Sequence, residues 1–248
     1  MRPPVDTIAA PPFPRDVTWL NVAPLRMDKQ HGRPVLIEFF DVCRVQSLRT
    51  LPYVQAWHER YAAAGLRVIS VHAPGFPPSE DEDVVRSEVV RLGIEHPVCL
   101  DSEFALWRTY DNEGWPARYL FGPDLMLAEF HYGEGGYAET EEVIQELLGI
   151  EGEPALEPLR PEDDPDATIV VPTAEQPGAY SGPYEAGGVW AVLSGRGMIA
   201  VDGTASAVER DGAHLLVEHA VHTAGVLELE VAEGVTCHPR CCSPVGAP

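Results

Sequence analysis

An α/β fold followed by a small all-β module is predicted for these 248 residues. Two observations carry the prediction. An apolar run, Val35 to Phe40, with β-branched and aromatic residues, gives way after a short polar turn to apolar residues spaced three and four apart, and a second β-rich run, Leu66 to Ala73, follows. Strand, helix and strand of this length imply a right-handed parallel crossover. Beyond Glu151 to Asp166 the pattern changes to short strands broken by glycine turns at about ten-residue spacing, the habit of small sandwiches and meanders.

In order along the chain, residues 1–18 form an extended, proline-rich arm, and residues 19–150 the α/β domain. Val35 to Phe40 is its first long strand. Val45 to Ala64 carries Leu48, Leu51, Val54, Trp57, His58 and Tyr61 on one helical face, with Pro52 set to kink it. Gly65 caps that helix and Leu66 to Ala73 is the next strand. Glu82 to Leu92 reads as a helix stopped by Gly93, Pro97 to Leu100 as a short strand, and Ser102 to Tyr110 as a helix capped by Ser102. Ala117 to Phe121 and Met126 to Tyr132 form an antiparallel hairpin, and Thr140 to Leu148 a closing helix ended by Gly149. Residues 151–166 are a linker stiffened by proline and extended by like charges. Residues 167–248 make the small β-rich domain, with strands at Ala167 to Val171, Gly188 to Leu193, Met198 to Val201, His214 to His219 and Val226 to Val231.

Composition narrows the function. A hydrophobic content of 45% is ordinary, whereas 17 basic against 39 acidic residues leave a net charge of -22. Such a field repels phosphate backbones and anionic membranes, so neither nucleic acid nor membrane is an expected partner. Met1 to Arg33 has no apolar signal region, and no run reaches the roughly 18 apolar residues of a span. With five cysteines, an odd number, a reduced cytoplasmic protein is expected. There is no Walker loop, dinucleotide fingerprint, GxSxG or HExxH, and no cofactor is expected.

Four segments resemble the thioredoxin-like domains of the TlpA/ResA/DipZ thiol-disulfide oxidoreductases. They are Arg49-Thr50-Leu51-Pro52-Tyr53; Val68 to Ala73; Gly114-Trp115-Pro116-Ala117 with Tyr119-Leu120; and His131 to Gly135 with Tyr137 to Glu141. The resemblance covers Trp19 to Gly149 and implies a thioredoxin-like fold, a central mixed sheet flanked by helices. It also places Arg44 and Ser47 where the family has the two cysteines of its CxxC motif, here Arg44-Val45-Gln46-Ser47. Neither residue can attack or resolve a disulfide. The resemblance makes Glu38 the buried acid beneath the site, and an ion pair between Glu38 and Arg44 is expected to offset the cation at the positive end of the helix. It makes Trp115–Pro116 a cis bond facing the site, where an extended peptide of a protein partner can pair; inherited loop geometry is the other reading.

Three functions follow. The first is a binding or structural module without dithiol exchange. The second is an unusual thiol enzyme, a thiol-disulfide oxidoreductase or peroxidase using Cys43 alone, although a small filler side chain is the simpler reading of Cys43. The third is metal binding at Cys237, His238, Cys241 and Cys242, soft ligands that suit zinc or copper, set against simple packing in a terminal strand. The oligomeric state is not legible.

Overall fold

The computed structural model describes residues 7–245. The chain divides into two compact units, one built from Pro74 and the residues before it together with Val89–Glu157, the other from Gly75–Glu88 with the residues from Pro158 onward. Gly75–Glu88 thus leaves the sequence of the first unit to join the second, where Arg210 Nη1 lies 3.4 Å from Glu88 Oε1.

The first unit holds β1 (Thr18–Leu20), β2 (Val35–Phe40), α1 (Val45–Tyr61), β3 (Arg67–His72), the end of α2 (Glu82–Arg91), β4 (Val98–Leu100), α3 (Ala105–Thr109), β5 (Ala117–Phe121), β6 (Leu127–Tyr132) and α4 (Tyr137–Leu148). Its six-stranded sheet runs β1-β4-β3-β2-β5-β6. β2 is parallel to β3 and β3 to β4, whereas β1, β5 and β6 pair antiparallel with their neighbours. β2 is buried along its whole length, as an apolar run with both faces covered must be. Val35, Ile37 and Phe39 pack in one core with Ile69, Val71, Tyr119 and Phe121. Leu36 packs in a second core with Tyr53, Val54, Trp57 and Tyr61 of α1 and Tyr137 and Ile144 of α4.

Three local expectations change. Residues ahead of β1 are more than a lead-in: Leu127 donates to the Ile8 carbonyl, Ala10 donates to the Leu125 carbonyl, and Phe13 is buried in the first core. α3 is not capped by Ser102; Asp101 accepts the Leu106 and Trp107 amides at 3.0 and 2.7 Å, and Phe104 takes a left-handed turn at its start. α4 starts before Thr140, at Tyr137, because Gly136 (φ 61°) supplies the left-handed entry.

The second unit is all β apart from Gly75–Glu88 and a short 3-10 turn. It contains β7 (Gln176–Pro177), β8 (Gly182–Gly195), β9 (Gly197–Val201), β10 (Thr204–Val208), β11 (Gly212–Leu227), β12 (Leu229–Val231) and β13 (Val235–Ser243). The sheets are β10-β9-β12 and β11-β8-β13-β7. Tyr184, Val189, Ala191 and Leu193 of β8 share a core with Ile199, Val208, Leu227 and Leu229. Ala167 to Val171, expected as a strand, lies outside every named strand, β10 was not foreseen, and β13 is the terminal strand that the packing reading of the C-terminal cysteines required. In β11, register shifts fall between Leu215 and Val217 and between Glu218 and Thr223.

Candidate functional site

β2 ends at Phe40, and Asp41 to Arg44 turn the chain into α1. Asp41 Oδ1 accepts the Cys43 amide at 2.8 Å, the Asp41 carbonyl accepts the Arg44 amide at 3.0 Å, and Ser47 Oγ accepts the Asp41 amide at 3.2 Å. Ser47 and Cys43 are both fully buried. Arg44 is the N-cap, extended at φ -94° and ψ 120°, with no side-chain cap bond and no acidic residue in the first turn. A cation there opposes the helix dipole by up to about 1 kcal/mol.

What offsets that cost is aromatic. The Arg44 guanidinium carbon lies 4.7 Å from the centroid of the Trp115 ring, a cation–π arrangement worth roughly 0.5–2 kcal/mol depending on solvation. Trp115 is itself fixed, donating Nε1–H to the Ala73 carbonyl at 2.9 Å and packing 4.3 Å from Trp107. The Trp115–Pro116 peptide bond is cis, and Pro116 is buried.

Glu38 does not pair with Arg44. It points to the α1 side of the sheet, as Leu36 does, and its Oε2 accepts the Ser70 hydroxyl at 2.7 Å. Its rung of the sheet explains the difference: Glu38 is in register with Ser70 on β3 and with Arg118 on β5, so its polar neighbours come from across the sheet. Ser70 Oγ also meets His96 Nε2 at 2.7 Å. Arg118 is fully buried, donates Nη2–H to the Gly135 carbonyl at 2.6 Å and lies 5.0 Å over the Tyr137 ring. Burial pushes the Glu38 carboxyl up to about 7, against the Ser70 hydrogen bond and the Arg118 charge, which pull it down. Burial, helped by His58, pushes His96 down to about 3, so that imidazole is neutral. Arg118, Ser70 and His96 were not singled out from sequence. The signal was there: an Arg inside Ala117 to Phe121 and a Ser inside Val68 to Ala73 are polar residues in fully buried strands.

The segments that carried the resemblance pack on one another. Arg49 Nε is 2.7 Å from Glu134 Oε2, Thr50 Oγ1 is 3.1 Å from the Tyr137 hydroxyl, and the rings of Tyr53 and Tyr137 stack at 3.7 Å and 9°.

The C-terminal soft ligands do not converge. Among the described residues no group of three His, Cys, Asp or Glu side chains could hold a metal ion. On β13, side chains at adjacent positions point to opposite faces, separating Cys241 from Cys242. His238 Nε2 meets Ser194 Oγ at 2.9 Å, Cys241 Sγ lies 3.6 Å from Glu175 Oε2, and Cys242 belongs to the core with Cys237 against it. Cys237, His238, Cys241 and Cys242, expected as metal ligands, are thus not gathered into one cluster among the described residues. The five cysteines form no disulfide.

A mixed sheet of this order, with a helix N-terminus facing a cis-proline, defines a thioredoxin-like domain, and the first unit has a thiol-disulfide-oxidoreductase-like fold similar to the domains of the TlpA and DipZ kind. Over 167 residues the chain is 30% identical to protein DipZ of Mycobacterium tuberculosis, an alignment covering 66% of this chain and 24% of DipZ. The chain thus spans about a quarter of that relative's length. It is 26% identical over 138 residues to the thiol-disulfide oxidoreductase YkuV of Bacillus subtilis, covering 56% of this chain and 93% of YkuV. A thiol-disulfide isomerase of Corynebacterium glutamicum has the same fold, with a TM-score of 0.52 at 20% identity over 58% of this chain and 98% of that one. No family model matches the chain. Among the described residues no helix is long and apolar enough to cross a membrane.

Proposed function

We propose that the first unit is a binding or structural module on a thiol-disulfide-oxidoreductase-like frame, without dithiol exchange of its own. The observation that carries this reading is the start of α1. Exchange needs an accessible low-pKa thiolate at the helix N-terminus and a second thiol to resolve the mixed disulfide. Arg44 and Ser47 stand at those places, the one laid over Trp115 and the other engaged with the Asp41 amide. Cys43 is 0% exposed, which favours a packing role over attack as a single thiol. The partner class is an extended segment of another protein beside Trp115 and Pro116, and a reducing cytoplasm is the setting that suits five cysteines without a disulfide.

Insulin-disulfide reduction tests the reading. The protein should add nothing to the background rate of the thiol reductant. Turnover that disappears in Cys43→Ser would overturn the proposal in favour of a single-thiol enzyme.

A further inference from the structure

Away from the start of α1, the first unit carries a cavity of about 310 Å³ in which α3 and the loop after it face β5 and β6. That volume sits at the low end of small-molecule sites, roughly 300–1,000 Å³. Its walls are aromatic and meet edge to face. Tyr119 and Tyr132 have ring centroids 6.0 Å apart at 88°, Phe130 and Tyr132 5.6 Å at 63°, and Tyr110 and Tyr119 5.4 Å at 71°. Rings in several orientations therefore line the cavity. The charged side chains of the lining are two carboxylates, Asp111 and Glu113, with no Lys, Arg or His among them. Both carboxylates reach the Tyr119 hydroxyl electrostatically: burial first, then the neighbouring Tyr132 hydroxyl, and last these two charges push its pKa upward.

The site is built rather than incidental. Asp111 takes a left-handed backbone, φ 50°, that a non-glycine residue adopts at a cost. The neighbouring Asn112 holds the loop there. Its amide donates to the Trp107 carbonyl at 3.0 Å, its Nδ2 donates to the Gly114 carbonyl at 2.9 Å, and its Oδ1 accepts the Tyr119 hydroxyl at 2.8 Å. The Tyr119 hydroxyl in turn lies 3.0 Å from that of Tyr132. The loop that carries the two carboxylates is thus tied to the rings through Asn112.

We propose that this cavity binds a small organic ammonium ion, with a quaternary ammonium the best match. Ring quadrupoles attract a cation over their faces, and weakly hydrated alkylammonium groups give up little water to reach them. The two carboxylates supply the balancing charge, and the chain's net charge of -22 draws cations toward it. An anion is repelled, and an uncharged ligand of the same shape gains only the apolar contact.

The test compares choline with its uncharged carbon analogue, dimethylbutanol, titrated into the full chain and followed by the ring resonances of isotopically labelled tyrosine. Choline should shift the Tyr119 and Tyr132 resonances saturably and bind about tenfold or more tightly than the alcohol. Tyr132→Ala should weaken choline by about the same factor. The pair Asp111→Asn and Glu113→Gln should weaken choline while leaving the alcohol unchanged; both sites are exposed, and Asn tolerates the left-handed backbone. Equal binding of the two ligands, no saturable shift with choline, or indifference of choline to all three substitutions would overturn the proposal.

Discussion

Raising the pH through the range in which Glu38 ionises should cost the first unit stability, and Glu38→Gln should remove that cost. In the unfolded chain the carboxyl titrates near 4.5; in the fold burial holds it up to about 7. Between those values the folded state keeps a proton that the unfolded state has lost. The stability that the neutral carboxyl contributes is present below pH 4.5 and is lost as pH rises through 7. The interval is 7 minus 4.5, or about 2.5 pH units, and at about 1.4 kcal/mol each the loss is on the order of 3 kcal/mol. His96 works in the opposite sense. Its pKa is depressed to about 3, so its contribution grows as pH rises toward the ordinary 6.5. The wild-type curve alone mixes the two, and the difference between wild type and Glu38→Gln isolates Glu38. Urea unfolding at several pH values from 4 to 8, followed by tryptophan emission, reads it, since Trp19, Trp57, Trp107 and Trp115 all belong to the first unit. The variant should gain about 3 kcal/mol relative to wild type between pH 4.5 and 8. Parallel curves across that range would refute the reasoning and mean that Glu38 is ionised in the fold at all these pH values.

Three further outcomes are expected. The double substitution Arg44→Cys with Ser47→Cys restores thiols at the positions the family uses, and it should confer insulin reduction that each single substitution lacks. Glu141→Ala removes an acceptor that Trp57 Nε1, Tyr61 Oη, Arg60 Nη1 and the Leu156 amide all share; leaving buried donors unpaired at about 1–3 kcal/mol each should destabilise the first unit by about 4 kcal/mol in urea titration. Gly195→Ala puts a Cβ onto the Gly234 carbonyl oxygen at φ 92°, so the second unit should lose about 3 kcal/mol or more, read from the emission of Trp190 in β8.

Much of the first unit was legible because its signals are local and redundant. β2 and β3 are short runs rich in β-branched and aromatic residues, α1 has a long apolar face, and Gly149 ends α4 in the left-handed conformation at φ 69°. The cap of α3 was misread because Asp101 and Ser102 are both good caps, and only the fold shows which carboxylate or hydroxyl reaches the free amides. Glu38 shows the same limit in the site. Its spacing from Arg44 suggested a pair, but partner choice in a sheet is set by register, and register brought Ser70 and Arg118 alongside it. β13 entered only as an alternative to a metal site because Cys237-His238-Pro239 interrupts any alternation, and the strand itself slips register between Cys237 and Arg240. Ala167 to Val171 has the composition of a strand, yet only Ile169 within it reaches a bridge.

The irregularities of β11 bear on how the protein behaves at high concentration. This strand is 16 residues long and lies at the edge of its sheet. A straight edge of that length would offer a row of unpaired amides and carbonyls on which another chain could add, the first step of aggregation. Its two register shifts divide the row into short pieces, and bulges of this kind increase local twist. A newcomer strand then finds matched backbone over a few residues at a time, and self-association by strand addition is discouraged. Removing either shift by deletion would lengthen the matched edge, and it is there, rather than in the buried core, that the chain would be turned into a fibre-forming one.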